Sequence, residues 1–195
     1  MNTETDTSIL HEIHQYKDNY YQSEGKNRFF KKSQKMDCAK KISEQFDLHT
    51  LISHTIYQIP DTNKLLFDYT VFKLYATPEN YDTIIQYVLT LFEYVLMKYS
   101  CFEMNVILDT FTISAVERYK TVIQMFCDKC IASNTVYSKH MTQMNLYYTP
   151  SMIDSIRSVL RPFIDNNVYD RIVMYSKSES PKILKALGKI GRAHV

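Results

Sequence analysis

Apolar positions change their period along the chain. Ile9, Leu10, Ile13 and Tyr16 form one short helical stripe, and Met36, Ala39, Ile42 and Phe46 form a second. Beyond residue 50 the pattern turns extended. Segments 53–59 and 65–75 are rich in Ile, Tyr, Thr, Val and Phe, and Pro60-Asp61-Thr62-Asn63 between them is turn chemistry, so a β-hairpin is predicted. Thr77-Pro78-Glu79 supplies a cap, a first-turn proline and an acid at the positive end of a helix. Tyr81, Ile84, Ile85, Val88, Phe92, Val95, Leu96 and Tyr99 give that helix its buried side. The apolar run 104–108 predicts a central strand covered on both faces. Ser114-Ala115-Val116-Glu117 reads as a capping box, opening a helix striped by Val116, Tyr119, Val122, Ile123 and Phe126. Segments 143–148 and 171–175 supply the last strands. Between them Thr149 can cap a helix that begins at Pro150, with Met152, Ile153, Ile156, Val159, Leu160 and Phe163 at helical spacing. Strand and helix alternate after the hairpin, so right-handed crossovers predict an α/β fold. Its mixed sheet has a parallel centre, is opened by the hairpin and is flanked by helices.

Composition narrows the function classes. The chain has 195 residues, 45% hydrophobic and 23% charged, the profile of a globular protein, and its net charge of +2 points to no partner. Three parts are expected: a helical extension with a basic segment over 1–50, the main domain over 51–188, and a tail over 189–195. The tail, KIGRAHV, matches a sequencing-library adapter read in frame, so it is set aside as foreign and the natural protein is expected to continue past 188. No apolar run approaches a membrane span and the first residues, MNTETDTSIL, are polar, which makes a cytoplasmic location the expectation. Only Gly25, Gly188 and Gly191 occur, too few for the glycine-rich turns of P-loop and dinucleotide-binding enzymes.

Candidate chemistry is sparse. No histidine lies in a motif with a nucleophile and an orienting acid, and His11 and His14 read as exposed helix positions. Cys127 and Cys130 lack a second ligand pair at zinc spacing and read as helix-interior residues. No catalytic residue, metal or cofactor is therefore expected. Sixteen tyrosines and ten phenylalanines read as core rather than a base-stacking surface, because basic residues do not interleave with them along a groove, and nucleic acid is not an expected partner. The exception is GKNRFFKKSQKMDCAKK. Here Lys26, Arg28, Lys31 and Lys32 surround Phe29 and Phe30, a pattern suited to transient contact with an anionic membrane surface, with a solvated linker as the alternative.

The order strand, proline, amphipathic helix, Pro162-Phe163-Ile164-Asp165, strand in MNLYYTPSMIDSIRSVLRPFIDNNVYDRIVMYS resembles the C-terminal half of the CRAL-TRIO lipid-binding family, typified by the yeast phosphatidylinositol transfer proteins. DTNKLLFDYTVFK and MNVILDTFTISAVERY extend the likeness over about two-thirds of the chain. The resemblance implies a noncatalytic pocket for a lipid or other hydrophobic small molecule. Its gate would be the helix at 151–163, with Ile153, Ile156, Val159, Leu160 and Phe163 facing the ligand. Burying a sixteen-carbon chain is worth roughly 13 kcal/mol before ordering costs, at about 0.8 kcal/mol per methylene. The family's phosphoinositide-headgroup lysine is matched by Arg171 and its neighbouring threonine by Val168. The phosphatidylcholine-contacting serine, threonine and glutamate are matched by Met104, Val106 and Lys139, which makes Met104 and Val106 pocket lining. Asp109 matches an aspartate whose part in the family is structural. Some members act as signalling or protein-interaction modules, so a protein partner with no lipid cavity is the alternative; a STAS-like regulatory domain is a third reading, from topology alone.

Overall fold

The computed structural model describes residues 3–27, 29–133 and 135–188. Arg28 and the 189–195 tail lie outside the described residues. The five-stranded sheet has the order β1-β2-β3-β4-β5, formed by Ile56–Gln58, Lys64–Asp68, Phe102–Ile107, Met141–Tyr147 and Ile172–Met174. β1 and β2 pair antiparallel, and β2 through β5 are parallel neighbours in sequence order. This is the mixed sheet with a parallel centre that the pattern predicts. Sequential order has a consequence: right-handed crossovers between consecutive parallel strands all place their helices on the same face. α5 (Tyr81–Tyr99), α6 (Ile113–Ala132) and α8 (Ile153–Leu160) accordingly contribute to one large core.

That core is aromatic. Phe92 stacks on Phe102 at 4.7 Å and meets Tyr137, in the one-turn helix α7 (Tyr137–His140), at 5.4 Å, while Phe72 meets Tyr119 at 5.0 Å. The helices α1 (Thr3–Glu24) and α2 (Lys31–Gln45) join it through Ile13, Tyr20, Cys38 and Ile42, so each N-terminal stripe turns inward, with Ile13 buried in the first and Ala39 and Ile42 in the second. The Tyr20 hydroxyl donates to Asp37 at 2.8 Å, clasping α1 to α2 and holding the Asp37 carboxyl below its ordinary range. The opposite sheet face is covered by α10 (Ser180–Ala186), whose Leu184 packs with Ile59, Leu66, Ile107 and Tyr147. On that face the central strands carry a buried polar network. Asn145 donates to Glu103 at 2.9 Å and to Asn105 at 3.1 Å, and the Tyr147 hydroxyl donates to Asn105 at 2.8 Å.

Four local expectations are corrected. The hairpin forms, but its arms are short: 53–55 belong to α3 (Leu48–Thr55) and 69–75 to α4 (Tyr69–Tyr75). The reason is capping. Asp47 accepts from the Thr50 N–H at 2.7 Å and Asp68 from the Thr70 N–H at 2.9 Å, giving each helix a start where β-branched and aromatic content suggests a strand. α5 begins at Tyr81, after a turn in which buried Asn80 accepts from Thr77 N–H and donates to the Tyr75 carbonyl. No capping box forms at Ser114, since Thr112 is already the N-cap position. Nor does Thr149 cap a helix at Pro150: Tyr148 is left-handed with φ 55°, and the Thr149 hydroxyl donates to the Tyr175 carbonyl. The chain makes one further turn before α8 starts at Ile153.

Candidate functional site

α8 and the following 3₁₀ turn, Arg161–Phe163, lie against α6 and carry the predicted gate residues. Ile156 is 2% exposed and belongs to the main core, while Ile153, Val159 and Leu160 are half-buried against it. Phe163 is also half-buried, with the Lys120 ammonium 5.8 Å from its ring centroid. One fully buried side chain thus seats the whole of α8. Its outer face is fastened differently: the guanidiniums of Arg157 and Arg161 lie 4.8 and 4.4 Å from the ring of Tyr169, in the short helix α9 (Asn166–Tyr169). Met104 and Val106 sit two residues apart on β3, hence on one sheet face, and both contribute to the core that α8 covers. The structure brings six of these seven residues, all but Phe163, into a single apolar core.

The other predicted residues fall elsewhere. Arg171 directs Nη1 to the backbone carbonyls of Ser138 at 2.9 Å and Met141 at 2.5 Å. It therefore ties the start of β5 to the start of β4 through one nitrogen of its guanidinium. Lys26, Lys31 and Lys32 are exposed around the link between α1 and α2, where Phe29 is 92% and Phe30 70% exposed. Two neighbouring phenylalanines in water beside lysines form an amphipathic tip.

Residues 53–189 match the family model for the CRAL/TRIO domain. The chain belongs to the CRAL/TRIO domain family. CRAL/TRIO domains generally bind small lipophilic ligands and are generally noncatalytic. No curated protein matches the chain significantly. No described helix is long and apolar enough to cross a membrane.

Within this CRAL/TRIO domain burial holds Cys127 and Cys130 as thiols. Burial pushes the Cys127 thiol up to about 11 and the Cys130 thiol to about 12, so both are protonated near neutrality. No three His, Cys, Asp or Glu side chains cluster in metal-holding fashion among the described residues. What sequence reasoning missed is an open cleft of about 590 Å³ between α1, α2, α4 and the start of α6. It collects Lys26 and Lys31 from the basic segment together with Lys17, Lys35, Lys73 and Arg118, and no residue of α8 lines it. These cations come from four helices and the link between α1 and α2, so no local motif announces them.

Proposed function

We propose that this CRAL/TRIO domain binds a small lipophilic molecule beneath α8, against the sheet face of Met104 and Val106, and exchanges it at an anionic membrane surface. The observation that carries the reading is the seating of α8: an amphipathic helix with Ile156 as its one fully buried residue, its other core-facing residues Ile153, Val159 and Leu160 only half-buried, is built to lift. Lifting exposes Ile153, Val159, Leu160 and Phe163 together with the apolar surface below, which an acyl chain or polycyclic ligand would cover again. Headgroup selection would fall to polar groups at the rim, with Arg171 as the candidate. The reading assigns the domain no reaction. Native mass spectrometry of protein purified from cells, with organic extraction of the bound fraction, tests it: a stoichiometric lipophilic adduct is expected. Ligand-free protein that also fails to take up a fluorescent fatty acid would overturn the carrier reading.

The second reading, a protein-interaction module with a filled interior, is favoured by one feature. Phe92, Phe102, Phe126 and Tyr137 pack ring against ring over the start of β3, leaving side chains where a carrier would hold ligand. Uptake of the fatty acid separates the two.

Membrane exchange predicts a role for the α1–α2 tip. Inserting a phenylalanine ring gains about 1.5–3 kcal/mol, so Phe29→Ala or Phe30→Ala is expected to weaken binding to phosphatidylserine-containing vesicles by about tenfold or more. Co-sedimentation at low ionic strength measures this. Unchanged partitioning of the double variant would exclude the tip as the membrane contact.

A further inference from the structure

The basic cleft is built differently from an ordinary solvated face. Six cations line it, namely Lys17, Lys26, Lys31, Lys35, Lys73 and Arg118, and Asp18 is the one acid among the described residues of its wall. Elsewhere lysines find carboxylates: Lys40 pairs with Glu79, Lys41 with Asp37, Lys64 with Glu103 and Lys129 with Asp82. Among the described residues, none of the six cleft cations is in an ion pair. Lys17, Lys73 and Arg118 are half-buried rather than extended into water, and the Arg118 Nε is buried with no hydrogen-bond partner. Leaving such a donor unsatisfied is costly, and like charges gathered at a partly desolvated wall repel. The strain on this cluster shows in two of its lysines. Burial first, then neighbouring cations, hold Lys35 and Lys73 below their ordinary range, with Arg118 acting on Lys35 and Lys17 on Lys73. Thr110 and Ser114 add hydroxyls to the wall, and the 20-residue α6 presents its positive end there.

The Lys73 ammonium donates to the Thr110 hydroxyl, and a multiply charged oxyanion would offset the repulsion among the six cations and give the Arg118 Nε an acceptor. The cleft's volume of about 590 Å³ lies within the range of small-molecule sites, roughly 300–1,000 Å³. Arginine and lysine converging from several elements match phosphate oxygens spread over more than one group, a geometry a single carboxylate does not fill. We infer that this cleft, distinct from the apolar site under α8, binds a multiply charged phosphate anion, carried on a phosphorylated lipid headgroup or on a soluble phosphorylated molecule.

The test uses tripolyphosphate as the soluble probe and vesicles of phosphatidylcholine with a minor fraction of phosphatidylinositol bisphosphate as the lipid probe. Phosphatidylserine vesicles of equal charge serve as reference. Calorimetry should show saturable single-site binding of tripolyphosphate, weakened about tenfold or more by Lys73→Gln with Arg118→Gln, but less than about twofold by the exposed Lys32→Gln outside the cleft. Removing repelling cations should leave the melting temperature of the unliganded variant unchanged or raised. Should that variant fail to fold, Lys17→Gln with Lys35→Gln gives the same readout. Preference for bisphosphate vesicles over phosphatidylserine, lost in the cleft variant, identifies a lipid headgroup as the source; tripolyphosphate binding without that preference identifies a soluble one. Absence of both saturable binding and vesicle preference, or equal weakening by Lys32→Gln and the cleft variant, would overturn the assignment.

Discussion

Ile156→Asp is expected to destabilise the protein by on the order of 5 kcal/mol, a large share of the 5–15 kcal/mol that holds a typical domain folded. Two effects add. The β-branched side chain at 2% exposure is the buried point of α8, and removing it leaves a cavity between α8 and α6. The carboxylate that replaces it must then be buried without a partner, or protonated, or the helix must leave its seat. Half-buried Ile153 supplies the comparison. There Ile153→Asp can turn its carboxylate to water, and the cost should fall to about 1–2 kcal/mol. Urea titration followed by circular dichroism measures both. Equal losses at the two positions would mean that α8 is not held at Ile156. Should Ile156→Asp retain near-native stability, with protease sensitivity confined to 153–163, the helix has lifted as a unit, the behaviour of a lid.

The polar network on the other sheet face should be nearly as sensitive. Asn105 is fully buried; its side-chain oxygen accepts from the Tyr147 hydroxyl and from Asn145, and its amide donates to the Leu65 carbonyl at 3.3 Å. Asn105→Ala strands those partners, at about 1–3 kcal/mol for each unsatisfied group, so a loss of about 3 kcal/mol is expected. Tyr147→Phe removes one donor while Asn145 still serves the Asn105 oxygen, and should cost about 1 kcal/mol. The pair should be coupled. If the double variant loses as much as the two single losses combined, within about 0.5 kcal/mol, the network is not a unit.

Much of the architecture was legible because periodicity and burial agree. The buried residues of α5 are those of its apolar stripe, from Tyr81 through Val95, and β3 and β4 overlap the strands predicted at 104–108 and 143–148. Where burial surrounds an element, the period vanishes. α4 buries Tyr69, Val71, Phe72, Leu74 and Tyr75 on nearly all sides, so YTVFKLY looks like strand, and only Asp68 two residues before Thr70 marks a helix start. The start of α8 was misplaced for a tertiary reason: the Thr149 hydroxyl is drawn to Tyr175, at the far end of β5, rather than to its own helix. The apolar face of 151–163 was readable from spacing. Its depth was not, since a stripe records which side turns inward and not whether a filled core or a ligand lies beneath it. The basic cleft was the least legible of all, because its cations run from Lys17 to Arg118 and converge only once α1, α2, α4 and α6 are packed.

We propose that a lipophilic guest sits between α8 and the sheet face of β3. Photo-crosslinking with a diazirine-bearing fatty acid, followed by peptide mapping, addresses it most directly. Saturable labelling of 153–163 together with Met104 or Val106, displaced by unlabelled fatty acid, is the result expected. Labelling confined to Phe29 and Phe30, or labelling that never saturates, would contradict a site beneath α8.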